Sequence, residues 1–252
     1  MSRTIFIQPR YQHLSDYIAT VPDTMESDGK YIYGGRRNLI VSMTAPDGTV
    51  LNVKRYKIPS LPSNIVYSTG LRTPKGRRAY EYPQILAQKG IGTPEAVAYI
   101  EDRRCGLLRH SWLITIQCPY QHRMYEMGDA APEVYEPMVE PLARFCAHMH
   151  DNEVLHLDFS PGNILWERVD GEYHFSIVDI NRMHFGPVDM EQGVGSFSRL
   201  WGPKRFLCML TRRYAELRGF DVAAAEQTML TLRARFWHHY QKKREMEFTL
   251  EL

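Results

Sequence analysis

The chain opens polar and then turns into short apolar runs. Tyr31-Ile32-Tyr33, Leu39 to Met43 and Thr49 to Lys54 are rich in β-branched, aromatic and aliphatic residues, with Gly34-Gly35 and Pro46-Asp47-Gly48 between them. Runs bounded in this way predict three strands joined by tight turns. Two more strands are predicted near Ala96 to Glu101 and Trp112 to Gln117. Pro59, Pro62, Gly70, Pro74 and Gly76 predict a loop over 59–76, and a helix follows from about Arg78 to Lys89, ending at Gly90. Residues 1–28, with Pro22-Asp23 and Asp28-Gly29 as turn signals, read as a loosely packed lead-in. After a linker over 119–133 the period changes. Met138, Leu142, Phe145 and Met149 recur at helical spacing, as do Val139, Ala143 and Cys146, which predicts a buried helix. Residues 163–166 and 175–178 read as two strands, with Asp170-Gly171 as the hairpin turn between them. The stretch from 197 to 247 reads as helices. The elements describe an α+β chain: a small β-rich part with one helix over 1–118, and a mainly helical part over 119–252.

Composition narrows the class. The 252 residues are 44% hydrophobic and 24% charged, which suits a packed protein rather than a disordered one. A formal net charge of +2 carries no nucleic-acid signature. Cys105, Cys118, Cys146 and Cys208 lie far apart and form no Cys-x-x-Cys pair, so they read as scattered buried thiols in a reducing compartment. The first residues hold no apolar run long enough for a signal peptide or a membrane span, so a cytoplasmic protein is expected, with any membrane contact peripheral.

The chemistry concentrates in one region. Residues 156–163 read His-Leu-Asp-Phe-Ser-Pro-Gly-Asn, and Ile177-Val178-Asp179-Ile180-Asn181 follows after the predicted hairpin. An Asp, an Asn five positions on and a second Asp after an apolar run make the layout of a phosphoryl-transfer site. Asp158 would accept the proton of the attacking hydroxyl, and Asn163 and Asp179 would hold magnesium, which prefers hard oxygen ligands. Pro161 and Gly162 let a short loop reverse direction. The hairpin would return Asp179 to the side of Asn163. His156 reads as a support for the loop rather than as a base.

The pattern resembles the protein-kinase-like superfamily, and more closely the bacterial lipopolysaccharide kinases that phosphorylate Kdo or heptose. The stretches that carry the likeness are Asn52-Val53-Lys54, Gly92-Thr93-Pro94-Glu95, His156 to Leu165 and Val178-Asp179-Ile180-Asn181-Arg182. A protein kinase would have Asp-Phe-Gly in place of Asp179-Ile180-Asn181, and His-Arg-Asp in place of His156-Leu157-Asp158. Both departures are similar to the sugar-kinase branches. The resemblance implies a two-lobed, protein-kinase-like fold and the use of ATP with magnesium. It implies that Lys54 contacts the α and β phosphates, with Arg55 and Lys57 as competitors, and that Glu81 is its ion-pair partner. Gly34 and Gly35 would approach the nucleotide, or form a plain turn between strands. The implied acceptor is a sugar hydroxyl of lipopolysaccharide or of a lipid A–core intermediate. A small-molecule phosphotransferase, an atypical protein kinase and a nucleotide-binding pseudokinase scaffold remain alternatives.

A second segment, 199–218, mixes Arg199, Lys204, Arg205, Arg212, Arg213 and Arg218 with Leu, Phe, Trp and Tyr. Such a segment either lies on anionic lipid at the inner membrane or is a helix with a core face and a solvated basic face.

Overall fold

The computed structural model describes residues 2–34, 38–243 and 245–252. The chain divides into two compact units, Met1–Gln88 with Thr93–Pro119 and Lys89–Gly92 with Tyr120–Leu252.

In the first unit β1 (Ser2–Ile7) leads through a 3₁₀ turn to α1 (Ser15–Asp28). Then come β2 (Lys30–Gly34), β3 (Asn38–Thr44), β4 (Val50–Tyr56), α2 (Leu61–Ser68), α3 (Lys75–Gln88), β5 (Ala96–Arg104) and β6 (Leu107–Ile116). The strands form one antiparallel sheet in the order β1-β5-β6-β4-β3-β2. Alternation along β4 sends Leu51 and Val53 into one core cluster and Tyr56 into another. Lys54 is paired between Ile40 and Leu113 and lies on the Tyr56 face, with its Nζ 5.2 Å from the Tyr56 ring.

Three expectations fail in this unit. Residues 1–28 are not a loose lead-in: β1 is an edge strand, and Leu14, Ile18, Val21 and Met25 pack α1 onto the sheet with Val41, Leu51 and Ile114. Their spacing is helical, and that burial outweighs the hydrogen bond that Pro22 removes. Residues 59–76 contain a helix, not only a loop. Pro62 sits at the first turn of α2, where its missing N–H costs nothing, and Asn64 pins the helix to β6. The Asn64 amide donates to the Leu108 carbonyl and accepts from the Leu108 N–H, at 2.8 and 3.0 Å. The unit therefore carries two helices more than the one expected. Finally, α3 begins three residues early and runs through Pro83, which is buried with Ala79, Tyr80 and Leu86.

The second unit contains β7 (His122–Arg123), α4 (Pro132–Asp151), β8 (Val154–His156), β9 (Ile164–Val169), β10 (Glu172–Ile177), β11 (Met183–Phe185), α5 (Met190–Phe197), α6 (Lys204–Arg218) and α7 (Val222–Gln241). The expected linker over 119–133 is structured, with β7 added to the β9–β10 hairpin and Met124 and Met127 fully buried. The buried helix is present as α4, although it holds Pro137 and Pro141. Asp170 and Gly171 both take positive φ, 52° and 89°, as a two-residue hairpin turn requires. Of the four cysteines only Cys146 is buried, and Cys105 is exposed.

The basic segment resolves into α6, and its charges are answered within the protein. Arg205 pairs with Glu136, Arg212 with Glu226, Arg213 with Glu140 and Glu216, and Arg218 with Asp151. Phe206, Leu207, Leu210 and Tyr214 are fully buried. Within 199–218, residues Lys204–Arg218 form a helix with a core face and a basic face whose cations have acidic partners. Among the described residues no helix is long and apolar enough to cross a membrane.

The N-terminal helix should behave as core. Ile18→Ala removes a side chain with no exposed surface and should lower unfolding free energy in urea by about 2 to 5 kcal/mol. A loss near zero would restore the loose lead-in.

Candidate active site

Residues 156–182 are fixed by backbone pairing at both ends. β8 pairs with β11, so that His156 lies opposite Met183, and the Leu157 N–H donates to the Arg182 carbonyl at 2.9 Å. Between these ends the chain makes the loop 157–163, the β9–β10 hairpin and the turn 178–182. The Val178 N–H donates to the Asn163 carbonyl at 2.9 Å, which returns the second Asp segment to the end of the first loop. The Ile177 N–H donates to the Gly92 carbonyl at 2.9 Å. A Cβ at Gly92 would lie 2.4 Å from the Phe175 carbonyl oxygen, so only glycine fits there.

His156 ties the two segments together. Its imidazole is buried, with 1% exposed. Nδ1 accepts the Asp158 N–H at 3.1 Å, so Nε2 carries the proton and donates to the Val178 carbonyl at 3.0 Å. Burial pushes the imidazole below its usual pKa and keeps it neutral, the form with one donor and one acceptor. The support role read from the sequence is what this geometry provides.

Asp158, Asn163 and Asp179 are each held by specific bonds. The Asp158 carbonyl accepts from the Ser160 N–H at 2.8 Å and from Asn163 Nδ2 at 2.9 Å. With its NH₂ group so engaged, Asn163 keeps Oδ1 as an oxygen donor. Asp179 has φ of 57°, the left-handed region that a non-glycine residue enters at a cost of order 1–3 kcal/mol. Asn181 secures it, since Nδ2 donates to Asp179 Oδ1 at 2.8 Å. An amide oxygen and a carboxylate are the hard donors that magnesium takes, so these two residues fit the ion.

Two arginines face Asp158. Arg199 Nη1 lies 3.1 Å from Oδ1, and Arg182 Nη1 lies 3.9 Å from Oδ2. Asp158 and Arg199 are each about one third exposed, so the pair meets solvent. Arg199 was not visible as a site residue. It lies 41 positions from Asp158, and its surroundings in sequence read as a basic helix. Arg182 had a signal, its place after Asp179-Ile180-Asn181.

In the first unit the expected partners separate. Glu81 is exposed and is paired with Arg77 at 2.5 Å, one turn earlier on α3, rather than with Lys54. The helix phase explains this. Ala79, Tyr80 and Pro83 face inward, which turns the ridge of Arg77 and Glu81 outward. Gly34 closes β2 beneath the Tyr31 ring, whose hydroxyl donates to the Gly34 carbonyl at 3.2 Å. Gly35, with Arg36 and Arg37, lies outside the described residues.

Comparison with known proteins bears on the whole chain. No curated protein sequence matches it. Among solved structures it is similar to WaaP in complex with acyl carrier protein, with a TM-score of 0.61 and 17% identity over 96% of this chain and 100% of that one. At this identity the likeness concerns the fold, and it agrees with the α+β, protein-kinase-like architecture expected from the sequence. A Rio2 kinase complex with ADP, magnesium and phosphoaspartate from Chaetomium thermophilum matches at a TM-score of 0.44 and 14% identity, over 91% of this chain and 76% of that one. The MAP kinase LmaMPK10 from Leishmania major matches at 0.42 and 13%, over 95% and 75%. Residues 35–185 match the family model described as lipopolysaccharide kinase (Kdo/WaaP). That match spans more than half of the chain, and the chain belongs to the lipopolysaccharide kinase (Kdo/WaaP) family.

Proposed function

We propose that this phosphotransferase moves the γ-phosphate of ATP to a hydroxyl of an inner-core sugar of lipopolysaccharide, Kdo or heptose. The observation that carries the reading is the joint fixing of Asp158, Asn163 and Asp179 by the His156, Asn163 and Asn181 bonds, in a chain of this family. Asp158 takes the proton of the acceptor hydroxyl as its oxygen bonds to the γ-phosphorus, and the bond from that phosphorus to the β–γ bridging oxygen breaks to release ADP. Asn163 and Asp179 are the residues that would hold magnesium, which would supply positive charge to the phosphates. Lys54 is the residue we assign to the α and β phosphates, and Gly34 with Gly35 to the backbone over the nucleotide. Glu81 has no part in this assignment, because Arg77 holds it. The strained backbone at Asp179 favours an active enzyme over a scaffold, since a protein with no need of the carboxylate there gains nothing from the strain.

A lipid-linked acceptor calls for a surface that meets a bilayer, and α2 supports that role better than α6. Leu61, Ile65 and Val66, with Leu71 just beyond, are exposed, Leu71 by 81%. Lys57 and Arg72 flank them and are exposed. Apolar side chains rimmed by cations suit an anionic membrane surface.

Asp158→Asn should lower transfer from ATP to lipopolysaccharide by about 10² to 10⁴-fold while magnesium-dependent thermal stabilisation by ATP persists. Full activity in this variant would remove Asp158 as the base, and labelling of protein instead of lipopolysaccharide would replace the acceptor. In sedimentation with phosphatidylglycerol vesicles, replacing both Leu61 and Ile65 by Asp should weaken binding tenfold or more; equal binding by variant and native protein would exclude α2.

A further inference from the structure

Asp158 opens on a pocket that the loop motif does not account for. The C-terminal turns of α7 bring Phe236, His239 and Tyr240 to it, with Lys243 just past the helix end, and with Asp158 they line a volume of about 410 Å³. Arg199 reaches the same place from the chain after α5. Its guanidinium bonds Asp158 Oδ1 at 3.1 Å and lies 5.3 Å from the centre of the Phe236 ring. Lys243 Nζ donates to His239 Nε2 at 3.0 Å, which sets the two basic side chains side by side. The volume is that of a small-molecule site. The lining joins aromatic rings, which suit the apolar face of a sugar, to cations, which suit a carboxylate or phosphate.

We infer that this pocket is the acceptor subsite and that it selects a sugar carrying a negative charge beside the hydroxyl to be phosphorylated. The inference rests on the kinase reading above and adds the acceptor's chemistry and its contacts. The ring lies against Phe236 and Tyr240, the anionic group meets Arg199 and Lys243, and the hydroxyl points at Asp158. The anion competes with Asp158 for Arg199. A correct acceptor thus draws the guanidinium away from the carboxylate oxygen that must receive the hydroxyl proton. A neutral sugar leaves Arg199 on Asp158.

Calorimetric titration of the full chain with lipopolysaccharide core oligosaccharide, in the presence of magnesium and a non-hydrolysable ATP analogue, reads this subsite without needing turnover. Three probes are compared: the native oligosaccharide, the same material with its phosphates removed, and the same material with its carboxylates reduced to alcohols. The native probe should bind at least tenfold more tightly than one of the treated forms, and which one names the source of the charge. Lys243→Ala and Phe236→Ala should each weaken native binding tenfold or more, and Lys243→Ala should also shrink the difference between native and treated probes; affinity for the ATP analogue should stay the same. Equal binding of all three probes by the native protein, or unchanged native binding in both variants, would overturn the subsite. Charge-dependent binding in this titration, together with no phosphate transfer to the same oligosaccharide in a parallel assay with ATP, would retain the subsite and overturn the kinase reading instead.

Discussion

A single buried imidazole holds the chemistry of this protein in place. His156 accepts the N–H of Asp158 and donates to the carbonyl of Val178, one residue before Asp179. The backbone of the proposed base and the backbone before the proposed metal ligand are thereby spaced by the width of one ring. The arrangement works because the ring is neutral. A protonated imidazole would present two donors and leave the Asp158 N–H facing one of them, and burial disfavours that form. Asn163 closes the other side by donating to the Asp158 carbonyl. The β8–β11 and β9–β10 pairings supply the frame on which these bonds act.

The same constraint gives the Asp179-Ile180-Asn181-Arg182 run a physical meaning. Asn181 is spent on Asp179, where it secures a carboxylate on a left-handed backbone. Arg182 is turned toward Asp158. The two polar residues after the second Asp therefore each serve a different carboxylate. A glycine in place of Asn181 would supply no side-chain donor to Asp179.

Legibility in the sequence followed the range of the interactions. The hairpin at Asp170-Gly171, the return of the second Asp segment to Asn163 and the support by His156 were readable, because each depends on neighbours in sequence or on a turn that only certain residues allow. The helices of residues 1–28 and 59–76 were hidden by prolines and turn residues, whereas α3 and α4 were readable from their apolar spacing in spite of Pro83, Pro137 and Pro141. Pro22, Pro83, Pro137 and Pro141 all lie inside helices, and burial of one face outweighs the lost hydrogen bonds. Residues 1–28 and α2 were missed for this reason: turn-forming residues masked an apolar spacing that only the sheet completes. Pairings between distant segments left no local trace. Glu81 was matched to Lys54 by family likeness, yet the phase of α3 hands it to Arg77. Arg199 was read as part of a basic surface, yet it meets Asp158, while the arginines of α6 are consumed by acidic partners on other helices.

The account stands on Asn163 and Asp179 acting together at one metal ion while Asp158 remains available to the acceptor. A crystal of the protein with ADP and manganese, whose anomalous scattering locates the ion and whose oxygen preference follows that of magnesium, tests this directly. The account predicts one or more manganese ions bonded to the Asp179 carboxylate and to Asn163 Oδ1, with Asp158 outside the coordination sphere. Manganese bonded to Asp158, or bound away from both Asn163 and Asp179, would contradict it.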